Sequence, residues 1–226
     1  MRPGSPARLW IVDPSIHHPE EEGVRFILED WPGEARVFRP ALSPGDGPRP
    51  GDGHDADGFV LLGSAASVLD PLPWMEPLSA WLSPLLAGEV RKPLLGVCFG
   101  HQLIAHLSGG AVGYLEANRK KRLGVEWTVL EHGRLLPGRR ELRVVVSHRE
   151  EVQRVPADYR VVAGRPGVPV DGLEHVELPV FSFQFHPEAR TDFARRVGVP
   201  PADLDDRVLA DSRLLLGAFL RIVLGG

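Results

Sequence analysis

The sequence predicts an α/β fold, a mostly parallel sheet flanked by helices with antiparallel strands added to it. Three observations predict it. In the first half, strand-like runs at 9–12, 35–39, 59–62 and 94–97 alternate with helix-like stretches, the pattern of a parallel sheet covered on both faces. Beyond Gly110 the rhythm changes to consecutive β-like runs joined by short turns, which points to antiparallel pairing. A length of 226 residues with 43% hydrophobic composition suits a single domain, 1–226, with a sizeable core.

Taken in order, Leu9 to Val12 reads as the first strand, running into Asp13-Pro14. Val24, Ile27, Leu28 and Trp31 then recur at helical spacing. A strand at 35–39 leads to Pro40–Gly53, too rich in Pro and Gly for a regular element and expected as a mobile surface loop that His54 follows. The buried strand Phe59 to Leu62 stops at Gly63-Ser64. Leu78, Trp81, Leu82 and Leu85 form a helical stripe closed by Gly88, in which Pro84 argues for a kink or an early stop. The strand 94–97 feeds a helix carrying Leu103, Ile104 and Leu107, ended by Gly109-Gly110. The later β-like runs fall at 111–114, 125–130, 142–146, 159–163, 174–178 and 180–184. Over 190–226, helices are expected at 191–197 and 203–224, the second capped by Asp203, buried through Val208, Leu215, Phe219, Leu220 and Val223, and ended by Gly225-Gly226.

The stretch Gly96-Val-Cys-Phe-Gly100 between the fourth strand and its helix carries the chemistry. A residue held on a strained strand-to-helix turn needs glycine neighbours, and the side chain of Cys98 is then presented above the sheet. The helix that follows points unpaired N–H groups and its positive end at the sulfur, which favours the nucleophilic thiolate. The N–H of Phe99 is in position to serve as an oxyanion donor. A buried cysteine also serves as a small core hydrophobe, so Gly-x-Cys-x-Gly alone leaves both readings open.

Phe183-Gln-Phe-His-Pro-Glu188 decides between them. A cysteine nucleophile needs a base in reach and a third group to orient that base. In extended chain, residues two apart face one side, so Glu188 can reach the ring of His186 while Pro187 stiffens the connection. The alternative is a structural histidine at a strand end.

With these motifs, and with Asp57-Gly-Phe-Val-Leu-Leu-Gly63 and Ser147-His148, the chain resembles the class I glutamine amidotransferases, the Cys-His-Glu glutaminase family, over roughly residues 9–188. Within that family it is most similar to stand-alone domains resembling the amidotransferase half of guanosine monophosphate synthase. The resemblance implies a flavodoxin-like sheet with added antiparallel strands. It implies that a backbone N–H of the Gly63-Ser64 loop is the second oxyanion donor, that the Gln102 side chain helps bind substrate, and that the backbone at Ser147 and His148 contacts it. The family usually has a second glycine where Ser64 stands and aspartate where Glu150 stands. Serine adopts some loop conformations poorly, and a misplaced donor costs on the order of 10²-fold in rate. The plain alternatives are an ordinary turn at Gly63 and a hairpin bend with a surface histidine at His148.

The net charge of −4 gives no argument for a nucleic-acid or membrane partner. The single cysteine excludes an internal disulfide, and no apolar run reaches signal or membrane-spanning length, so a cytoplasmic protein is expected. No histidine pair has a metal spacing with a third ligand, and no Gly-x-x-x-x-Gly-Lys-Ser/Thr loop is present, so neither metal nor cofactor is expected. The cations of Arg119-Lys-Lys-Arg122 read as a solvated loop, or else as a docking patch for an acidic partner or substrate. Three functional readings stand: a glutaminase or amidotransferase acting on glutamine, with any synthetase on a separate polypeptide; a hydrolase of another γ-glutamyl amide or peptide; and a catalytically weak binding or regulatory protein.

Overall fold

The computed structural model describes residues 6–53 and 55–225, so the expectations placed on His54 and Gly226 lie outside the described residues. In chain order the elements are β1 (Arg8–Val12), α1 (Glu21–Leu28), β2 (Glu34–Phe38), β3 (Gly58–Leu61), α2 (Met75–Leu86), β4 (Leu94–Val97), α3 (Phe99–Leu107), β5 (Ala111–Tyr114), β6 (Arg122–Leu130), β7 (Arg140–His148), β8 (Glu150–Arg154), β9 (Tyr159–Arg165), β10 (Val168–His175), β11 (Val180–Phe183), α4 (Thr191–Val197), a 3-10 turn (Pro201–Asp203) and α5 (Asp206–Val223).

Nine strands form one sheet in the order β2-β1-β3-β4-β11-β10-β9-β6-β7, and β5 and β8 form a separate ladder. From β2 to β11 every pairing is parallel; from β11 to β7 every pairing is antiparallel. Strand alternation divides the core between the two faces. Leu9, Ile11, Val60, Leu95, Val97, Phe181 and Phe183 pack with α1 and α5, whereas Trp10, Val12, Phe59, Leu61, Leu94 and Val180 pack with α2 and α3. The carboxyl ends of β1, β3, β4 and β11 therefore converge on one rim, where open α/β sheets place their ligands.

The departures from the sequence reading have local causes. β8 was not anticipated, because Glu150-Glu-Val-Gln-Arg154 carries a single large apolar residue and pairs only with the short β5. β10 begins and ends earlier than the expected run at 174–178. It is a sheet-interior strand interrupted by Pro169, Asp171 and Gly172, so it shows neither alternation nor an unbroken apolar run. Its buried carboxylates are matched by cations: Asp171 by Arg165 at 2.8 Å, and Glu174 by Arg160 at 3.1 Å and by Arg134. Pro84 lies inside α2 without ending it. Trp31 falls past the end of α1 but is still buried. The 40–53 stretch is irregular as expected, yet it is tied back: Asp46 accepts from the N–H of Arg39 at 3.0 Å, and Asp52 from that of Arg49 at 2.9 Å.

Asp203 belongs to the 3-10 turn, and the cap of α5 is Asp205 instead, whose Oδ1 accepts from the N–H of Val208 at 3.0 Å while Oδ2 pairs with Arg143. Replacement Asp205→Ala is expected to lower stability by about 1 kcal/mol or slightly more. Urea unfolding checks this as a fall in midpoint at unchanged slope.

Candidate active site

Cys98 joins β4 to α3 with φ 50° and ψ −100°, a conformation that costs a non-glycine residue energy and holds the side chain out of the sheet. Its N–H donates to the carbonyl of Phe183 at 2.8 Å and its carbonyl accepts from the N–H of Gln102 at 3.0 Å, so the turn is pinned to β11 and to the helix it opens. The flanking glycines are steric requirements. A Cβ on Gly96 would lie 2.9 Å from the carbonyl oxygen of Gly100, and one on Gly100 2.3 Å from that of Leu61.

His186 follows β11, with its N–H donating to the carbonyl of Val145 at 2.9 Å. Nδ1 lies 2.8 Å from Oε1 of Glu188, the ring packs at 4.5 Å from that of Phe193, and Nε2 has no hydrogen-bond partner other than the Cys98 sulfur it faces. Burial, the largest influence, acts to lower its pKa. The charges and hydrogen bonds of Cys98 and Glu188 together outweigh it and raise the value to about 10. His186 is thus a buried ring held charged at neutral pH between a sulfur and a carboxylate.

Gly63 closes over this pair: a Cβ there would meet Cε1 of His186 at 2.8 Å and Cβ of Cys98 at 3.5 Å. Ser64 accommodates its place without the strain expected of it. Among the described non-glycine residues only Cys98, Arg119 and His132 have positive φ, and the Ser64 hydroxyl donates to the carbonyl of Pro14 at 2.7 Å while accepting from the N–H of Ala66 at 3.1 Å. Phe99, the first residue of α3, is fully buried.

The opposite wall comes from the antiparallel half. The carbonyl of Ser147 lies 4.0 Å from the Cys98 sulfur. His148 is buried rather than a surface histidine at a bend. Its Nδ1 is 3.0 Å from the carbonyl of Glu150 and its Nε2 receives the guanidinium of Arg165 at 2.7 Å. Burial first, then Arg165, lowers its pKa to about 3, so the ring is neutral. Gln102 donates to the carbonyl of Glu150 at 2.8 Å and to Oε1 of Gln184 at 3.1 Å. Gln184 in turn reaches the Cys98 sulfur at 3.6 Å, and the Glu150 carboxylate accepts from Ser67 at 2.8 Å, fastening the Gly63 loop to β8.

These groups enclose a cleft of about 440 Å³ that runs from Cys98 and His186 outward past His17, Asp70, Tyr114 and Lys121. The basic run divides: Arg119 stacks on Tyr114 at 4.5 Å, Arg122 pairs with Glu126 at 2.8 Å, and Lys121 faces the cleft, its pKa lowered by burial against the opposing influence of Cys98. Among the described residues no group of three or more His, Cys, Asp or Glu is arranged to hold a metal ion, and no helix is long and apolar enough to cross a membrane.

Four residues in or behind the site escape a reading of the sequence. Gln184 lies inside the Phe183–Glu188 motif, whose spacing gives it no role. Glu20 looks like part of an acidic helix start, Glu20-Glu-Glu22, yet it is 5% exposed. Arg165 and Asp171, a fully buried ion pair behind His148, leave only the faint signal of charges in strand-like runs.

A family model described as Glutamine amidotransferase class-I matches residues 56–195, more than half of the chain. A glutamine-hydrolysing GMP synthase subunit of Pyrococcus abyssi is 41% identical over 101 residues, covering 44% of this chain and 53% of that protein. The same-named subunit of Methanopyrus kandleri is 40% identical over 106 residues, covering 46% and 55%. The matched stretch thus spans about half the length of these relatives. In shape, a glutamine amido transferase from Methylobacillus flagellatus superposes with a TM-score of 0.77 at 21% identity, covering 98% of this chain and 96% of that one. A glutamine amidotransferase from Thermotoga maritima gives 0.72 at 19%, covering 97% and 99%. At those identities the two superpositions speak to the fold alone.

Proposed function

We propose that this chain, which belongs to the class I glutamine amidotransferase family, hydrolyses the side-chain amide of glutamine to glutamate and ammonia through a cysteine thioester. The observation that carries this reading is the relay of Cys98, His186 and Glu188, with His186 held charged between its two partners. The thiolate of Cys98 attacks the amide carbon, and the oxygen that becomes negative is met by the N–H of Phe99 and a donor of the Gly63-Ser64 loop. His186 gives its proton to the departing nitrogen, ammonia leaves, and the thioester remains. The neutral imidazole then takes a proton from water as it attacks, and the sulfur is expelled as thiolate when glutamate is released, so that the charged pair is restored. Glu188 holds the ring throughout. Gln102, Ser147 and His148 line the cleft where the amino-acid end of the substrate would lie.

The subunit names of the relatives support ammonia transfer to an acceptor on a separate synthetase polypeptide. The need for a reduced thiol suits a cytoplasmic setting. A second reading, hydrolysis of a larger γ-glutamyl amide, is favoured by the length of the cleft beyond the catalytic pair, which extends to Tyr114 and Lys121.

Purified protein is expected to release glutamate and ammonia in equal amounts from glutamine. Turnover of a γ-glutamyl conjugate with silence on glutamine would replace the first reading by the second. Silence on both, with a Cys98 thiol slow to alkylate, would leave only a partner-activated polypeptide or a binding protein.

A further inference from the structure

A second buried carboxyl group lies against the relay. Glu20 ends the loop between β1 and α1 and faces the same cleft as His186 and Glu188. Its N–H donates to Oδ2 of Asp13 at 2.7 Å, and its Oε2 accepts from Arg196 of α4. Among the described residues its buried Oε1 has no hydrogen-bond partner, and neither has Oε2 of Glu188, whose other oxygen holds His186. Both side chains lie over Gly23, where a Cβ would be 3.0 Å from Cγ of Glu188 and 3.1 Å from Cγ of Glu20. Two adjacent buried carboxyl groups, each with an orphan oxygen, are poorly placed as a pair of anions. One proton between them satisfies both oxygens and removes the repulsion.

We propose that Glu20 is a positioning residue that carries this proton and donates it in a hydrogen bond to Oε2 of Glu188, so that a carboxyl pair rather than a lone carboxylate holds His186. The inference rests on the glutaminase reading of the relay. The groups facing Glu20 are Asp13 from the end of β1, with Arg39 at 3.9 Å beyond it, Arg196 from α4, and His186 and Glu188 after β11; His17 and His18 of its own loop are not buried. Burial, and then Glu188, raise the pKa of Glu20 to about 7, with Arg196 and His186 acting in the other direction. Above that pH the hydrogen bond becomes a repulsion, and the added negative charge makes His186 slower to yield its proton to the leaving nitrogen.

The test is the pH dependence of two rates, kcat/KM on glutamine and alkylation of Cys98 by iodoacetamide, in wild type, Glu20→Gln and Glu20→Ala. Wild type is expected to show an inflection near pH 7 in both. Glu20→Gln donates to the same oxygen without titrating, so it should keep activity within a few-fold at slightly acid pH and lose the inflection. Glu20→Ala leaves the Glu188 oxygen unmet and should lose roughly tenfold or more in kcat, as misplaced positioning groups do. An inflection retained in Glu20→Gln, or identical profiles for the two variants, would overturn the proposal. If Glu20→Ala fails to fold, the wild type and Glu20→Gln profiles decide alone. If the wild type is silent on glutamine, the proposed function fails, while the alkylation profiles still report on the carboxyl pair.

Discussion

Replacement of Cys98 by serine is expected to abolish glutamate release, a loss of roughly 10⁴-fold or more, while leaving the fold intact. A hydroxyl has an ordinary pKa far above that of a thiol, so almost none of it is ionised, and an un-ionised alcohol is a far poorer nucleophile than a thiolate. On the proposed mechanism the loss should fall on kcat, because the side chain of residue 98 is the group that forms and breaks the bond, whereas the wall made by Gln102 and His148 is unaltered. Stability near neutral pH should change little, since apart from its interaction with His186 the sulfur makes only distant polar contacts, at 3.6 Å to Gln184 and 4.0 Å to the Ser147 carbonyl, and the turn is held by backbone bonds. One side effect is diagnostic. With the sulfur gone, burial meets less opposition and the His186 pKa should fall from about 10. A histidine whose folded pKa is raised stabilises the fold fully below its ordinary 6.5 and loses that contribution as pH rises through the folded value, so the variant should lose its share earlier, as pH rises past neutrality. Unfolding midpoints from pH 6 to 10, beside the glutaminase assay, would show it; full activity in Cys98→Ser would remove the cysteine from the mechanism.

Residues whose placement follows from the neighbours they have in the chain were legible in the sequence. Cys98 between its glycines and His186 two places before Glu188 define their geometry locally, as do the strands of the parallel half, where an apolar run must be buried on both faces. Glu20 and the Arg165–Asp171 pair were not legible, because their meaning arises from contacts across the sheet. Glu20 meets Glu188 only when α1 and the segment after β11 are brought together, and Asp171 on β10 is buried by the neighbouring β9 and β6. Ser64 is an intermediate case. The departure was visible, but that it costs no backbone strain depended on φ and on the hydroxyl reaching Pro14.

Removal of the buried cation, Arg165→Leu, should produce the largest stability effect of any substitution discussed. The Arg165 side chain is fully buried, 2.8 Å from Asp171, 3.1 Å from Glu126 and 2.7 Å from Nε2 of His148. Its loss strands the Asp171 carboxylate, which retains only the Thr128 hydroxyl at 2.6 Å, and breaking a buried pair in this way costs about 3–5 kcal/mol. The pH dependence follows from sign. Burial, the largest influence, already lifts Asp171 to about 6 from an ordinary 3.8 with Arg165 and Thr128 opposing it, and without Arg165 it must rise further. A group raised on folding contributes stability below its unfolded pKa and loses it as pH rises through the folded one. The deficit of the variant relative to wild type should therefore be smaller near pH 5 than near pH 8. Urea midpoints at the two pH values measure it, and an equal deficit at both would mean that Asp171 does not take up a proton. The double replacement of Arg165 and Asp171 by leucine removes both charges and should recover much of the lost stability, because an apolar pair leaves nothing stranded. It should not recover glutaminase activity in full, since His148 would still lack the donor that fixes its ring beside the cleft.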